Sequence, residues 1–255
     1  MKLASTTPIG VVVYKGENAD DSFHPNATIL VMALEDVDFN QEPDHEWMRE
    51  QVLNSVDKSS NDVKVIREKA TAAAVYDDWK NYMKGLLASA ALDKLDPQDG
   101  IISWITDYWN QDGCDHYVDR LRNKFGDNAP AVSNWFMPTA TQMLVTCREL
   151  AKEPWRANSA EYSNSLAYYD MNKDNLGSYL STDWYIEVLT PLFSRVGTDA
   201  KLPGGNYWLC TQMPINTDWD KAWYYQMGSQ TGAELRTGAK TAERKVRPFL
   251  AIRTR

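Results

Sequence analysis

Strand-like segments at both ends of the chain, with helical periodicity between them, limit the possible folds most strongly. Ile9–Tyr14 and Thr28–Leu34 are short apolar runs rich in β-branched side chains, as expected for strands. Three more strands are predicted near the C-terminus, at Asn206–Met213, Lys221–Met227 and Lys245–Ile252. We therefore predict an α+β fold in which the two chain ends meet in one twisted antiparallel sheet, with the helices packed beside it.

Polar segments rich in glycine, proline and acidic residues are predicted to connect these strands. Lys15–Asn26 joins the first pair, Pro214–Asp220 joins the next two strands, and Gly228–Arg244 leads into the last one. The polar segment Glu35–Asp62 is predicted to be mostly loop with some helix. Pro248 lies within the last predicted strand and has no N–H for the ladder, which predicts an edge position or a bulge there.

Apolar residues at helical spacing predict several helices in the middle of the chain. Two such runs cover Asp62–Leu92 and Cys114–Phe125. Thr139 and Gln142 have the spacing of a capping box, in which each side chain accepts a hydrogen bond from the other residue's backbone N–H at the start of a helix. A last helix is predicted over Trp184–Val196, shortened or kinked by its proline.

The balance of charges argues against nucleic acid as a partner. The chain has 35 acidic and 27 basic residues, a formal net charge of −8, and an acidic chain does not attract a phosphate backbone. No apolar run reaches the length of about 18 residues that a membrane span needs, so membrane insertion is not predicted. The first residues, Met1–Pro8, lack the apolar stretch of a secretion signal. A cytosolic protein and a surface protein whose signal was removed are the two alternatives.

Residue patterns of common enzyme and metal sites are absent from the sequence. It contains no G-x-S-x-G, H-E-x-x-H or G-x-x-x-x-G-K motif. His24, His45 and His116 are isolated and are interpreted as structural or solvated. The three cysteines lie far apart without a zinc spacing and are interpreted as small buried residues. We therefore predict no catalytic residue, no metal site and no cofactor.

One segment imitates the start of a calcium-binding loop. Asp170, Asn172 and Asp174 place oxygen-bearing side chains at positions 1, 3 and 5 of such a loop. The position usually held by glycine is Asn175, and the position usually held by a bidentate glutamate is Ser181. An Asx-rich turn accounts for the same residues, so the sequence leaves calcium binding open.

Four segments of the chain resemble, in their order and approximate spacing, the motifs of one domain family. Trp135–Thr139 (WFMPT) is similar to a W-x-L-P-T motif that leads into a helix, Tyr207–Gln212 (YWLCTQ) to a Y-W-S-S-T-E strand, Ala222–Tyr225 (AWYY) to an A-W-Y-V strand, and Val246–Pro248 (VRP) to a closing V-R-P-V. The family is the C-type-lectin-like domain of Bacteroidetes fimbrillin-type and related surface proteins. The variable receptor-binding proteins of diversity-generating retroelements have the same fold.

The resemblance covers residues 134–252 directly, and the first predicted strands look like those of the family. It implies a single C-type-lectin-like domain over residues 1–255, with a long helical insertion at about 44–130. The chain departs from the family most clearly at Leu209 and Cys210, which stand where the family has small serines.

The resemblance implies that the last strands and their loops present a binding face, because aromatic and hydrogen-bonding side chains gather there. The candidate ligand-binding residues are Trp208, Thr211, Gln212, Asn216, Asp218, Trp219, Trp223 and Tyr225. Alternation along a strand places Trp223 and Tyr225 on one side and Tyr224 and Gln226 on the other, and the sequence does not determine which side is buried. Trp208 and Trp223 are alternatively core residues, whereas Trp219 and Asp218, in a predicted turn, are expected to be exposed.

These observations predict a non-enzymatic ligand-binding or adhesion protein of the cell surface or extracellular space, of the fimbrial or adhesin type, with a glycan or a protein as ligand. One alternative is a phage-encoded or retroelement-diversified receptor-binding protein. Another is an enzyme of the formylglycine-generating kind, which shares the fold. That enzyme uses a cysteine pair, and the cysteines here are not placed like that pair. The sequence leaves the oligomeric state open.

Overall fold

A computed structural model of the chain has strands at both ends and helices between them. It describes residues 10–16, 19–20, 27–37, 44–66, 85–97, 100–102, 105, 131–143, 146, 175–180, 185–196, 203–212, 219–230 and 232–253. The strands are β1 Gly10–Lys15, β2 Ile29–Ala33, β3 His45–Glu46, β4 Ala131–Val132, β5 Asn175–Leu180, β6 Gly205–Gln212, β7 Lys221–Gly228, β8 Gly232–Ala239, β9 Glu243–Arg244 and β10 Phe249–Arg253. The helices are α1 Glu50–Ser55, α2 Asn61–Ile66, α3 Gly85–Leu95 and α4 Thr190–Ser194, the last preceded by a π-helical turn, Tyr185–Leu189.

The two chain ends meet in one antiparallel sheet, which confirms this part of the prediction. The strand order is β1-β2-β10-β4. β2 is central, with Val31 paired to Val12 of β1 on one side and to Leu250 of β10 on the other. All residues of β2 except Ile29 are buried. This explains why its sequence is a continuous apolar run, because both faces of the strand are covered.

A second antiparallel sheet holds the tryptophan-bearing strands, so the prediction that they share a sheet with the N-terminal strands is wrong. Its strand order is β5-β8-β7-β6. The outer edge of β6 is occupied by other backbone groups: the N–H of Trp208 donates to the carbonyl of Lys245 (3.0 Å), and the N–H of Cys210 donates to the carbonyl of Pro138 (2.8 Å). Because these bonds satisfy backbone groups along that edge, β1 and β2 pair elsewhere.

Strand β8 lies within Gly228–Arg244, which the sequence predicts to be a connection. Glycine, alanine and charged residues make up most of β8, and these residue types favour strands only weakly. Pairing with β7 extends along the whole strand, from Lys221 opposite Ala239 to Gly228 opposite Gly232. The strand therefore depends on pairing with its neighbours rather than on local propensity.

The last strand begins after Pro248 instead of running through it. Lys245 forms an isolated parallel bridge with Tyr207, and β10 starts at Phe249. The carbonyl of Pro248 accepts a hydrogen bond from the N–H of Ala33 (3.0 Å). The predicted irregularity is thus located at the proline, which has no N–H to contribute to a ladder.

A two-residue antiparallel ribbon, β3 with β9, forms where the sequence predicts loop. Two buried tryptophans attach the chain around this ribbon to β6. Nε1 of Trp208 donates to the carbonyl of His45, and Nε1 of Trp47 donates to the carbonyl of Leu209, both at 2.8 Å. Each indole N–H therefore has the partner that a buried tryptophan requires.

The described helices agree with the predicted periodicity. Asp62–Leu92 contains most of α2 and α3, which pack against each other, whereas the helix predicted at Cys114–Phe125 lies outside the described residues. The capping box is confirmed in both directions. The N–H of Gln142 donates to Oγ1 of Thr139, and the N–H of Thr139 donates to Oε1 of Gln142, both at 3.1 Å.

The helix predicted over Trp184–Val196 changes type along its length. It starts as the π-helical turn and continues as α4, with Pro191 in the first turn of α4. The hydroxyl of Thr190 donates to the carbonyl of Tyr185 (3.1 Å) across this change. Because proline lacks an N–H, an α-helical ladder does not run through the whole segment, and the α-helix is shortened as predicted.

The main hydrophobic core joins both sheets to the helices. It includes Val31 of β2, Ile66 of α2, Leu92 of α3, Trp208 of β6 and Ala222 of β7. The described helices between residues 44 and 130 pack against this core. That they form an insertion in a single domain remains a prediction.

Candidate functional site

The predicted binding face is buried wherever the structure describes it. Asn216 and Asp218 lie outside the described residues. The exposed fractions of the other predicted side chains are 8% for Trp219, 1% for Trp208 and Gln212, and 0% for Thr211, Trp223 and Tyr225. These six side chains belong to the interior, so they do not form the exposed aromatic platform that the sequence suggested.

The prediction that Trp219 is exposed in a turn is wrong. Its Nε1 donates to the carbonyl of Leu53 (3.3 Å). The ammonium of Lys240, itself buried, lies 3.6 Å from the centre of the Trp219 ring and 4.7 Å from that of Trp47. The ammonium of Lys58 lies 5.5 Å from the Trp219 ring. Contacts from residues distant in sequence therefore cover a side chain whose local sequence indicates exposure.

Strand β7 is fully covered on one side and partly open on the other. Trp223 and Tyr225 are fully buried, whereas Tyr224 and Gln226, on the opposite side, are half-buried. The sequence left open which side of β7 is buried, and the structure shows that it is the side of Trp223 and Tyr225. A surface on the last strands must use the Tyr224 side of the sheet.

One predicted binding residue supports a helix instead. Oγ1 of Thr211, on β6, accepts a hydrogen bond from the N–H of Ala140 (3.0 Å). Ala140 directly follows Thr139 at the start of the helix with the capping box. The N–H groups of a first helical turn have no partner within the helix, so Thr211 fixes this helix to the second sheet.

The segments that carry the family resemblance hold one another in place. Phe136, in WFMPT, exchanges two backbone hydrogen bonds with Phe249 (2.9 and 2.8 Å). Arg247, in VRP, donates to the carbonyl of Ala33 (3.1 Å) and forms an ion pair with Asp36 (2.6 Å), although Arg247 is only 2% exposed. These residues form the scaffold on which a site is built.

A row of side chains crosses the second sheet on its partly open side. Trp208, Tyr224 and Arg236 stand opposite one another on β6, β7 and β8. The neighbouring row places Asn206 opposite Gln226. All of these except Trp208 are half-buried, so each of the other residues stays partly accessible to solvent.

Arg244 of β9 lies over this surface. Its guanidinium carbon is 3.8 Å from the centre of the Tyr224 ring and 4.8 Å from that of Trp208. The two rings meet edge to face, with 6.0 Å between their centres. Gly238 leaves the space for the guanidinium, because a Cβ at that position would collide with it. We call the following five residues the Tyr224 face: Asn206, Tyr224, Gln226, Arg236 and Arg244.

The guanidinium of Arg244 has no carboxylate partner among the residues that the structure describes. Its Nε is buried and makes no hydrogen bond to any residue in the described ranges. Burial lowers the pKa of Arg244, because the charged form loses hydration, and the nearby Tyr224 hydroxyl partly opposes this shift. The arrangement is therefore a positioned cation that an anion from outside could neutralise.

Carboxylates oppose one another in the ribbon next to this arginine. Glu46 of β3 stands opposite Glu243 of β9. Burial raises the pKa of Glu46, the charges of Glu243, Glu50 and Asp96 raise it further, and Arg49 lowers it in part. Repulsion between like charges is thus built into the ribbon.

Neither a metal-binding cluster nor a membrane-spanning helix occurs among the described residues. Within the described ranges, no three His, Cys, Asp or Glu side chains come together in a way that could hold a metal. Asp170, Asn172 and Asp174 lie outside these ranges. Cys210 is buried in the main core, as predicted, and the other two cysteines also lie outside the ranges. None of the helices seen there is both long and apolar enough to cross a bilayer.

Comparison with known proteins gives one distant structural likeness. No protein-family model and no curated protein matches the sequence. The chain is similar to the crystal structure of a fimbrial protein from Bacteroides ovatus, with a TM-score of 0.39 and 16% identity. The alignment covers 97% of this chain and 45% of that protein, so this chain spans less than half of its length. At this level the likeness does not assign a function.

None of the five residues of the Tyr224 face was among the predicted site residues. The sequence assigns Tyr224 and Gln226 to one side of a strand, but it does not indicate that this side is the more exposed one. Arg236 and Arg244 come from a segment that the sequence predicts to be a connection. Pairing of β8 with β7 places Arg236 opposite Tyr224, and Arg244, on β9 of the ribbon with β3, lies over the Tyr224 ring.

Proposed function

We propose that this chain is a non-enzymatic ligand-binding or adhesion protein of the cell surface or extracellular space, of the fimbrial or adhesin type. It binds a glycan or a protein through the Tyr224 face and the loops beside it. One observation carries the proposal: an arginine, a tyrosine ring and two amide side chains converge on a surface that solvent reaches. Aromatic, arginine and amide groups of this kind are typical of recognition surfaces.

The proposal includes a C-type-lectin-like fold. In its support, the chain ends pair through β2 and β10, and YWLCTQ and AWYY lie on the adjacent strands β6 and β7. WFMPT is hydrogen-bonded to both β6 and β10. A binding role follows from the resemblance of these segments to those of surface proteins with that domain.

A ligand screen tests this function. Purified protein is applied to arrays of glycans and of extracellular proteins, and each positive ligand is titrated by calorimetry. We expect saturable binding with the ligand recovered unchanged. The double variant Tyr224→Ala, Gln226→Ala should weaken binding, because it removes the ring and an amide from the surface. Arg195→Ala, which changes an exposed arginine at the end of α4, should have no effect.

Two results would contradict the proposal. Binding that is equally strong in the double variant would remove the Tyr224 face as the site. Chemical conversion of a bound ligand would show that the protein is an enzyme. Circular dichroism of each variant separates loss of binding from loss of fold.

A further inference from the structure

We propose that Arg244 binds the carboxylate of an acidic glycan, whose sugar rings carry carboxyl groups. This inference rests on the proposed binding function and adds the chemical class of the ligand. It follows from the position of Arg244, from its lack of a carboxylate partner among the described residues, and from the amide groups beside it.

The guanidinium is positioned before any ligand arrives. It lies over the Tyr224 ring at 3.8 Å and near the Trp208 ring at 4.8 Å, and Gly238 leaves the space that it fills. These contacts restrict the rotamers of a long side chain. Binding a ligand at Arg244 therefore costs less side-chain entropy than binding at an arginine that moves freely in solvent.

The positive charge of Arg244 has lost part of its hydration, and no carboxylate in the described part of the protein replaces it. Its Nε is buried without a hydrogen bond to that part, and burial disfavours its charged form. The chain carries 35 acidic residues, yet none of those described pairs with it. A planar guanidinium matches a carboxylate through two parallel N–H···O bonds, so a carboxylate ligand supplies the missing partner.

Nearby acids favour a singly charged group over a more highly charged one. Glu243 precedes Arg244 in β9, and Glu46 stands opposite Glu243. Their charges repel any anion that approaches the ribbon, and a phosphate dianion is repelled more strongly than a carboxylate. The net charge of −8 acts in the same direction.

The amides beside Tyr224 favour a sugar over an acidic peptide. Asn206 and Gln226 stand opposite each other in the row next to Tyr224. Oδ1 of Asn206 is buried and has no hydrogen-bond partner among the described residues. The amide of Gln226 offers both donors and an acceptor, which match the hydroxyl groups of a sugar ring next to its carboxylate.

Matched pairs of glycans test the inference. Oligomers of galacturonate and glucuronate and a sialylated oligosaccharide are titrated beside counterparts whose carboxyl groups have been reduced to alcohols. Poly-glutamate and inorganic phosphate are added as further arms. At least one acidic glycan should bind roughly tenfold or more tightly than its reduced counterpart, since a charged hydrogen bond is lost in the latter.

Three variants connect this preference to Arg244. Arg244→Gln removes the charge and should abolish the preference for the acidic form. Gly238→Ala keeps the charge but displaces the guanidinium, so it should weaken acidic-glycan binding with the fold intact. Arg195→Gln is the matched control for loss of one positive charge, and it should behave like the unchanged protein.

The outcomes separate this inference from the proposed function. If reduced and acidic glycans bind equally well, and Arg244→Gln has no effect, the protein binds glycans but the role of Arg244 is refuted. Tighter binding of poly-glutamate than of every acidic glycan would refute the glycan assignment. Binding of phosphate alone would indicate a general anion site and would also refute it. If no glycan or protein binds in any arm, the proposed function itself fails.

Discussion

At the scale of single residues, cations packed on aromatic rings recur near the C-terminus. Lys240 and Arg244 lie over the rings of Trp219 and Tyr224, at 3.6 and 3.8 Å. Arg247 lies 5.8 Å from the ring of Tyr207. An aromatic face stabilises a desolvated cation without introducing a second charge that must also be desolvated. This explains how Lys240 and Arg247 can be almost fully buried although both are cations.

Arg247 also forms an ion pair with Asp36, and this gives a stability prediction. The Arg247–Asp36 pair is nearly inaccessible on the arginine side, with 2% exposure. Arg247→Met should lower the free energy of unfolding by about 3–5 kcal/mol, because it leaves the carboxylate without its main partner. Chemical denaturation measures this difference.

Lys245 provides the control for that measurement. It contacts the same carboxylate of Asp36 at 3.4 Å, but its side chain is 33% exposed. Lys245→Met should therefore cost no more than about 1 kcal/mol. Equal losses in the two variants would show that burial does not determine the strength of these pairs.

The pKa of Glu46 predicts a dependence of stability on pH. Its pKa in the folded protein lies above the ordinary value of 4.5, chiefly through burial and then through Glu243. The unfolded chain therefore loses this proton first, and stability decreases as pH rises from about that value until Glu46 is also ionised in the fold. At neutral pH, Glu243→Gln should stabilise the protein by roughly 0.2–1 kcal/mol, because it removes a like-charge pair.

Denaturation at two pH values tests this prediction. The stabilisation by Glu243→Gln should be present at neutral pH and should vanish in acid, where both carboxyls are protonated. Asp220→Asn, an exposed acid outside the ribbon, is the control for a general charge effect. A destabilised Glu243→Gln protein at neutral pH would be incompatible with repulsion in the ribbon.

At the scale of elements, burial determines how strongly the capping box stabilises the start of its helix. Thr139 and Gln142 are 1% and 0% exposed, so water cannot replace their hydrogen bonds. Thr139→Val keeps the shape of the side chain but removes the acceptor for the N–H of Gln142. The loss of stability should be about 1–3 kcal/mol, the cost of an unsatisfied buried donor.

Thermal and chemical unfolding measure the effect of the capping change. Ser55→Ala is the comparison, because the exposed Ser55 hydroxyl donates to the carbonyls of Gln51 and Val52 in its own turn. Its effect should stay within about 0.5 kcal/mol. A similarly small effect of Thr139→Val would mean that the helix start reorganises around the change.

At the scale of the whole molecule, the two sheets share one core and should unfold together. Residues of β2, β6, β7 and β10 all belong to the main hydrophobic cluster. β2 and β7 also have hydrogen-bonded neighbours on both sides. We expect amides of both strands to exchange hydrogen only through global unfolding, with the same dependence on denaturant.

The β3–β9 ribbon should behave differently in the same exchange experiment. It is two residues long and includes the repelling pair Glu46–Glu243. Its amides should exchange through local opening, faster than those of β2 and β7. Separate unfolding of the two sheets, or a ribbon as protected as β7, would contradict this description.

The sequence predicts those features that depend on neighbours a few residues away. Strands β1, β2, β6 and β7 agree with the predicted apolar runs, because a period of two or a buried run is a local property. The capping box agrees because both partners lie within one helical turn. The pairing of the chain ends also agrees with the prediction, since strands at both termini with helices between them favour an α+β sheet.

The tertiary structure decides what depends on residues far apart in the chain. Strand β8 has weak strand propensity and forms by pairing with β7. Trp219 lies in a turn but is covered by Leu53 and Lys240. The Tyr224 face exists only because β6, β7, β8 and β9 bring its residues together. Long-range backbone pairing determines which side of a strand is exposed, and no local pattern contains that information.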